Sequence, residues 1–147
     1  MSNKVKITVF TPTYNRGDCL INLYQSLKKQ RFLDFEWLII DDGSVDATSI
    51  NVLDWKCKET DFKIRYYYQE NGGKCKAINK ALDLANGELF FTVDSDDILT
   101  DDALEKINKW SEDLSTKDNY CGFAGNMKER NGKITNKKFK QGYFDGD

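Results

Sequence analysis

Strand-like segments and helical patterns alternate four times along this chain, which constrains its fold more than any other feature. The strand-like segments begin near residues 5, 35, 62 and 88. Apolar residues at helical spacing follow each of them; after the first, Leu20, Leu23, Tyr24 and Leu27 fall at i, i+3, i+4 and i+7. A β-α-β-α-β-α-β-α order is typical of a parallel sheet with helices on its faces. We therefore predict an α/β fold, a three-layer αβα sandwich around a mostly parallel sheet.

Individual segments also predict burial. The continuous apolar run Trp37–Ile40 is expected of a strand that is covered on both faces. A second helix is predicted from Ile50, Leu53 and Cys57, with Val52 and Trp55 nearby. The tyrosines at 66–68 are interpreted as core and sheet surface. Beyond residue 118 the patterns weaken, although residues 120–127 form a candidate strand.

Composition narrows the chemistry that is available. The net charge is −2 and the basic residues are dispersed, which argues against a nucleic-acid partner held by phosphate contacts. No apolar run approaches the ~18 residues expected of a membrane span. The 147 residues contain no histidine. Ser-His-Asp and Cys-His catalysis and histidine metal sites are therefore excluded within them, and carboxylates, lysine, arginine and hydroxyls remain.

The cysteines and the first residues bear on location. Cys19, Cys57, Cys75 and Cys121 form no CxxC pair, and we interpret them as reduced thiols. The opening MSNKVKITVF alternates apolar with polar residues and lacks the apolar stretch of a signal peptide. We expect a cytoplasmic protein, or one held at the inner membrane face by a partner or by a further segment.

Polar residues that a core does not need follow all four predicted strands. They are Thr11-Pro12-Thr13-Tyr14-Asn15-Arg16, Asp41-Asp42-Gly43-Ser44, Glu70-Asn71-Gly72-Gly73-Lys74 and Asp94-Ser95-Asp96-Asp97. In open parallel sheets, ligands bind in the crevice outside the carboxyl ends of the strands. Four motifs at that edge are stronger evidence for a ligand site than any one of them.

The acidic motif is the candidate metal site. Asp94 and Asp96 stand at i and i+2, so their carboxylates point to the same side if the backbone stays extended. A divalent cation relieves their repulsion, and Mg²⁺ typically takes one or two protein carboxylates together with water and phosphate oxygens. The alternative is a turn that caps a helix. The three other motifs at this edge favour the metal.

The other motifs offer groups for a nucleotide. The Asp42 carboxylate can accept an N–H from a base, whereas the plain alternative is a strand-to-helix loop with Ser44 or Asp46 as the cap. The glycines before Lys74 open a helix and suit a phosphate, although a simple turn explains them equally. The GxGxxG and Walker patterns are both missing. Tyr14 can stack on a base and Arg16 can pair with phosphate; alternatively, Arg16 lies in solvent on a Pro-stiffened loop.

Together, TPTYNR, DDGSVDAT, ENGGKCKAINKAL and VDSDD resemble the family 2 glycosyltransferases, which have the Rossmann-like GT-A nucleotide-diphospho-sugar transferase fold. The resemblance covers roughly residues 4–115. It implies metal-dependent transfer of a sugar, with inversion, from a nucleotide-diphosphate donor, most often a UDP-sugar. The acceptor would be a glycan or a lipid-linked molecule, as in polysaccharide or cell-wall biosynthesis.

The resemblance also implies roles for individual residues. Asp42 would accept a hydrogen bond from the base, most often uracil. Lys74 would lie near the nucleotide, and Asp94 would face its ribose and phosphate side. Asp96, with Asp94, would hold Mn²⁺ or Mg²⁺. The full set of expected nucleotide-sugar-binding residues is Thr11, Pro12, Thr13, Tyr14, Arg16, Asp41, Asp42, Asn71, Gly73, Lys74, Asp94 and Ser95.

One departure from the family concerns the general base that inverting enzymes need. Glu129, Asp145 and Asp147 follow the acidic motif, but none lies in a recognisable family motif, and no QxxRW pattern follows. We therefore predict a single, truncated domain, 1–147. Residues 1–115 form its nucleotide-sugar-binding half and residues 116–147 begin an incomplete acceptor-binding half. A nucleotide-sugar-binding fragment without complete catalytic machinery is the alternative function.

Two further classes are less consistent with the motifs. A sugar-phosphate nucleotidyltransferase shares the fold but needs a Gly-rich, Arg-containing loop after the first strand, where this chain has TPTYNR. A flavodoxin-like or receiver domain is the other class; receivers bind magnesium through Asp residues at the ends of the first and third strands, not of the second and fourth. No pattern in the sequence indicates the oligomeric state.

Overall fold

A computed structural model describes residues 4–115 together with residues 129 and 133. Strands and helices alternate along the described chain, and their bounds are β1 (Val5–Thr13), α1 (Gly17–Lys28), β2 (Phe35–Asp41), α2 (Thr48–Lys58), β3 (Lys63–Tyr68), α3 (Lys74–Leu84), β4 (Gly87–Thr92) and α4 (Ala103–Ser115). This order confirms the predicted α/β alternation, and each strand begins within one residue of its predicted start.

The four strands form one sheet in the order β3-β2-β1-β4. All three strand pairs are parallel; in β1, Val9 pairs with Trp37 of β2 on one side and with Phe91 of β4 on the other. The chain adds β2 and β3 on one side of β1 and then returns to add β4 on the other side. The strand order therefore reverses next to β1, where open α/β sheets form their ligand crevice.

Helices cover both faces of the sheet, which confirms the three-layer arrangement. One face packs against α1, α2 and α4 through a core that includes Leu23, Trp37 and Leu104. The other face packs against α3, where Ala77 and Ala81 contact Phe10, Leu38 and Ile40. Because β2 is covered on both faces, all seven of its residues are buried, as its apolar run predicts.

Glu36 is a buried carboxylate within β2, and it is fully hydrogen-bonded. It accepts from the Thr8 hydroxyl at 2.9 Å, from the Arg65 guanidinium at 3.2 Å, and from the backbone and side chain of Asn86 at 2.9 and 3.0 Å. Burial opposes ionisation of Glu36, but the hydrogen bonds and the Arg65 charge outweigh it and lower the pKa of this carboxyl below its ordinary value. These hydrogen bonds connect Asn86, which precedes β4, to residues of β1, β2 and β3.

The helix predicted from Ile50, Leu53 and Cys57 is present as α2, but these residues do not form its buried face. Ile50 is 71% exposed and Cys57 is also exposed, whereas Val52 is fully buried. The reason is an aromatic stack: Trp55 lies 4.7 Å, centroid to centroid, from the ring of Tyr24 on α1. Packing of the large indole against α1 sets the rotation of α2, and the Val52 side of the helix faces the core.

The chain divides into two compact units, residues 1–113 and 114–147. In the second unit the structure describes the end of α4 and two further residues, and the backbone N–H of Glu129 donates to the Lys133 carbonyl at 2.8 Å. The candidate strand at 120–127, together with Cys121, Asp145 and Asp147, lies outside the described residues. The predicted acceptor-binding half therefore stays a prediction.

In the described part of the chain, Cys19, Cys57 and Cys75 are free thiols. Over the same residues, the structure contains no helix with both the length and the apolar character that a bilayer crossing requires.

Candidate functional site

A cavity of about 370 Å³ opens at the carboxyl ends of the strands, in the first unit of the chain. Its lining comes from the loop after β1, the end of β2, the start of α3 and the turn after β4. The lining residues are Pro12, Thr13, Tyr14, Arg16, Asp42, Lys74, Ala77, Asp94, Ser95 and Asp96. The structure thus brings most of the predicted site residues around one cavity, beside the point where the strand order reverses.

Four predicted residues, Thr11, Asp41, Asn71 and Gly73, are not part of this lining. Thr11 is fully buried, and its hydroxyl accepts a hydrogen bond from the Trp37 indole at 3.0 Å. Asp41 is also fully buried; it accepts from the Ser44 backbone at 2.8 Å and from the Tyr66 hydroxyl at 2.6 Å. Burial and the Asp41 charge raise the pKa of Tyr66, so this phenol stays protonated and donates. Thr11 and Asp41 therefore stabilise the strand ends behind the cavity.

Asp42 points differently from Asp41 and holds the loop that follows β3. Its carboxylate accepts from the Gln69 side chain at 2.7 Å and from the backbone N–H groups of Gly72 and Gly73 at 2.9 and 2.8 Å. Gly73 has φ +86°, a conformation that favours glycine, which explains this residue within the motif. Burial disfavours the charge on Asp42, but the three hydrogen bonds and nearby Lys76 lower its pKa below the ordinary value. Asp42 is therefore a fixed carboxylate at the cavity wall.

Lys74 and Asp94 meet across the cavity lining. The Lys74 ammonium lies 2.6 Å from Asp94 Oδ1, and the two side chains are 55% and 49% exposed. Lys74 is the first residue of α3, and Asp94 follows β4 by two residues. The fold thus places a cation from one crossover beside the acidic motif of the next strand.

The acidic motif forms a turn, so the condition of an extended backbone through Asp94 and Asp96 is not met. The Asp97 N–H donates to the Asp94 carbonyl at 3.1 Å and closes the turn. Asp94 and Asp96 nevertheless line the same cavity. Burial, and then the charges of Asp94 and Asp96, raise the pKa of Asp97 above its ordinary value, which shows that the carboxylates repel one another.

These acidic residues fit a hard divalent cation that is held in part by a ligand. Within the described ranges, no three histidine, cysteine or acidic side chains converge as a metal-binding group. Two carboxylates at a cavity wall are, however, the protein donor set that Mg²⁺ or Mn²⁺ takes when water and phosphate oxygens complete its coordination. The residues present therefore suit a metal–phosphate complex better than a metal held by protein alone.

The loops after β1 and β2 interlock and fix the front of the cavity. Asn15, at φ +50°, donates its backbone N–H to the Ser44 hydroxyl, and its side chain accepts from the Val45 N–H, both at 2.8 Å. Asp46 accepts from the backbone N–H groups of Gly17 and Thr48, each at 3.0 Å. Asp46 therefore binds backbone N–H groups at the start of both α1 and α2, although the N-cap residue of α2 is Ala47 and not Ser44 or Asp46, as the capping interpretation expects.

Sequence reasoning missed Gln69 and Ala77. Gln69 is buried and orients Asp42, while its own Oε1 and the Thr13 hydroxyl are buried without a hydrogen-bond partner. Ala77 is a buried residue of α3 that lines the cavity. A polar residue directly after the tyrosines of β3 was the available signal for Gln69. Ala77 gave no signal apart from its place on the apolar face of a helix.

A second cavity, of about 450 Å³, opens at the opposite edge of the sheet. It is larger, but the buried carboxylate in its lining, Glu36, already accepts hydrogen bonds from three residues of the chain, Thr8, Arg65 and Asn86. All four sequence motifs contribute residues to the lining of the cavity at the carboxyl edge, which is therefore the candidate site.

The fold agrees with comparisons to known proteins. The sequence model of "Glycosyl transferase family 2" matches residues 8–146, and the chain belongs to this family. A glycosyltransferase of Rickettsia conorii is 38% identical over 111 residues, which cover 76% of this chain and 18% of the relative. A teichuronic acid biosynthesis glycosyltransferase of Bacillus subtilis, TuaG, is 33% identical over 122 residues, which cover 82% of this chain and 48% of the relative.

Solved structures confirm the predicted GT-A fold. TarS 1–349 of Staphylococcus aureus in complex with UDP-GlcNAc superposes with a TM-score of 0.69 at 32% identity, covering 75% of this chain and 32% of that TarS fragment. The mannosyltransferase PcManGT of Pyrobaculum calidifontis, in complex with GDP-Man and Mn²⁺, has a TM-score of 0.68 at 28% identity, covering 73% of this chain and 32% of that one. The chain thus spans less than half of the length of these relatives.

Proposed function

We propose that this chain forms the donor-binding part of a glycosyltransferase, which moves a sugar from a nucleotide-diphosphate donor, preferentially a UDP-sugar, to a glycan or lipid-linked acceptor with inversion. The observation that carries the proposal is the cavity at the strand ends, where Lys74 and Arg16 lie with Asp94 and Asp96. A metal–diphosphate complex needs cationic side chains that bind its phosphates and carboxylates that bind its metal. The relatives' complexes with UDP-GlcNAc and GDP-Man support the donor class.

Asp96 and Asp94 would hold Mn²⁺ or Mg²⁺ between them and the diphosphate. When bound, the metal supplies Lewis-acid stabilisation of the charge that develops on the leaving nucleoside diphosphate. The Mn²⁺ in the PcManGT complex supports this assignment. The residues themselves would act by position: the turn at Asp94–Asp97 keeps two carboxylates at the cavity wall, and Ser95, which also lines it, lies between them.

The nucleoside would lie against the loop after β1 and the end of β2. Tyr14 is 50% exposed at the cavity and offers a ring for base stacking. Asp42 offers a fixed carboxylate; three donors of the chain already bind it, and a carboxylate has about four acceptor sites, so one remains for an imino N–H of the base. Uracil presents such an N–H between two carbonyl groups.

The alternative function, a nucleotide-sugar-binding fragment, rests on a specific observation. Among the residues that line the cavity, the carboxylates are Asp42, Asp94 and Asp96, and the proposal assigns all three to base and metal. None remains in this lining to deprotonate an acceptor hydroxyl. Release of UDP from UDP-GlcNAc in the presence of acceptor glycans separates the two functions: turnover supports the enzyme, and binding without turnover supports the fragment.

The site itself is tested by an Asp96→Asn variant of the 147-residue chain. Its Mn²⁺-dependent affinity for UDP is expected to fall by at least about tenfold. Loss of a direct carboxylate ligand should weaken metal binding at least as much as loss of a residue that only hydrogen-bonds to a ligand. Asp101→Asn is the matched control, since Asp101 is exposed and lies outside the cavity lining. Equal affinity of Asp96→Asn and wild type for UDP would remove Asp96 from the metal site.

A further inference from the structure

The Lys74–Asp94 contact places a protein cation where the proposed function needs a metal ion. The ammonium lies 2.6 Å from Asp94 Oδ1, and both residues line the cavity. We infer that Lys74 competes with the divalent metal for Asp94 while the site holds no donor, an inference that rests on the proposed function. The donor diphosphate relieves this competition because it binds Lys74 and draws it away from Asp94. Metal and nucleotide then strengthen each other's binding, and neither occupies the site well without the other.

The contact has the properties that an exchangeable pair requires. Both side chains are about half exposed. Exposed ion pairs contribute little to stability because solvent screens them and because holding two long side chains costs entropy. The lysine stem is flexible, so its ammonium can move to a new anion while α3 stays in place. Breaking the contact is therefore easily offset by a diphosphate, which carries more negative charge than one carboxylate.

The surrounding charges give the exchange its direction. Three carboxylates, on Asp94, Asp96 and Asp97, lie in one turn, which the Asp97 N–H closes on the Asp94 carbonyl. Lys74 neutralises part of this charge before any metal arrives. A dication bound to the same carboxylates would lie within a few ångströms of the ammonium, and like charges at that distance repel. Metal binding alone therefore has to displace Lys74 into solvent, whereas metal binding with a diphosphate gives Lys74 a new partner.

The test measures Mn²⁺ binding by the 147-residue chain from the electron paramagnetic resonance signal of free Mn²⁺, without UDP and with saturating UDP. Lys74→Met is expected to bind Mn²⁺ about two- to fivefold more tightly than wild type in the absence of UDP, the range expected for removal of an exposed ion pair. The same variant is expected to bind UDP more weakly in saturating Mn²⁺. The factor by which UDP tightens Mn²⁺ binding should therefore shrink, and by linkage the factor by which Mn²⁺ tightens UDP binding shrinks equally.

The matched control is Lys80→Met. It removes the same charge from the same helix, but Lys80 donates to the Tyr68 carbonyl and lies outside the cavity lining. The control should match wild type in both conditions. A damaged fold weakens both ligands, whereas the exchange predicts changes of opposite sign, so folding defects are recognised directly.

Two results would overturn the inference, and they are distinguishable. If Lys74→Met binds Mn²⁺ alone no more tightly than wild type, while wild type binds Mn²⁺ with UDP, the exchange is refuted and the proposed donor site stands. If the folded wild-type chain binds neither Mn²⁺ nor UDP in any combination, the donor site itself is refuted, and the exchange falls with it.

Discussion

Gln69 donates its side-chain N–H to Asp42 across the ends of two neighbouring strands, at 2.7 Å. Both residues are buried, and the Asp42 carboxylate also accepts the backbone N–H groups of Gly72 and Gly73. One side chain thus joins β2, the end of β3 and the turn into α3. The same carboxylate lines the candidate site, so the site and the local fold depend on one group.

Replacing the Asp42 carboxylate tests its role in the stability of the fold. In Asp42→Asn, an amide N–H₂ group replaces one carboxylate oxygen; because Oδ1 accepts from Gln69 and Gly72 and Oδ2 accepts from Gly73, at least one donor loses its acceptor. We expect the free energy of unfolding to fall by about 1–3 kcal/mol, the cost of an unsatisfied buried polar group. Urea denaturation measures it. Asp34→Asn, at an exposed position, should change the unfolding free energy little; equal losses in the two variants would contradict this account of Asp42.

The buried Glu36 network predicts a pH-dependent stability. At pH 7, Glu36→Gln should lower the free energy of unfolding by about 3 kcal/mol, because it leaves the Arg65 charge without its buried partner. The pKa of Glu36 is lower in the folded protein than in the unfolded chain. Its stabilisation is therefore fully present above the unfolded value, about 4.3, and is lost as the pH falls through the folded value.

Urea denaturation of wild type and Glu36→Gln between pH 7 and pH 3 checks this. The difference between the two proteins should be constant down to about pH 5 and should shrink below it. Glu88→Gln, which loses only the exposed contact with Lys6, is the matched control and should unfold like wild type at pH 7. A difference that grows toward acid pH would refute the network's role.

Gly87 begins β4 at a point of close backbone approach. A Cβ atom there would lie 2.3 Å from the Thr8 nitrogen and 2.8 Å from the Ile7 carbonyl carbon. Because both neighbours are backbone of β1, Gly87→Ala has to push two strands apart, and we expect a loss of roughly 3 kcal/mol. The contrasting variant is Gly72→Ala, whose new Cβ would meet only the flexible Lys76 side chain. Thermal unfolding of both proteins would contradict the prediction if Gly87→Ala melted as high as Gly72→Ala.

The buried face of α2, which contains Val52, can be tested with a pair of variants. Val52 is fully buried, whereas Ile50 is 71% exposed. Val52→Ala should cost about 2 kcal/mol, the transfer free energy of two buried methyl groups together with the cavity that remains. Ile50→Ala removes a larger apolar group but should change the unfolding free energy by less than about 0.5 kcal/mol. The opposite ranking in urea denaturation would contradict this assignment of the buried face.

The sequence predicts the fold well where burial is two-sided. The run Trp37–Ile40 is apolar throughout because β2 is covered on both faces, so its pattern identifies a strand and its place in the sheet. The pattern of α2 is ambiguous, because Ile50, Leu53 and Cys57 mark one face and Val52 and Trp55 another. A residue on a different helix, Tyr24, decides between them by stacking on Trp55.

The candidate site is predictable as a place, but not in its contacts. Parallel topology brings the four strand ends to one edge, so the motifs converge whatever the details of their side chains. The side chains of adjacent residues nevertheless lie in different environments. Asp41 is buried against Tyr66, whereas Asp42 reaches the cavity. The acidic motif closes into a turn through a hydrogen bond that no residue pattern specifies. Such differences depend on backbone geometry that becomes visible only in the folded chain.

The central claim is that this chain binds a nucleoside diphosphate through a divalent metal. Calorimetric titration of the 147-residue chain with UDP in Mn²⁺, repeated after chelation and with GDP and TDP, tests it most directly. The account predicts saturable binding that requires Mn²⁺, disappears with chelator and is strongest for UDP. Binding that is equally strong with and without the metal, or no binding by a chain shown to be folded, would contradict it.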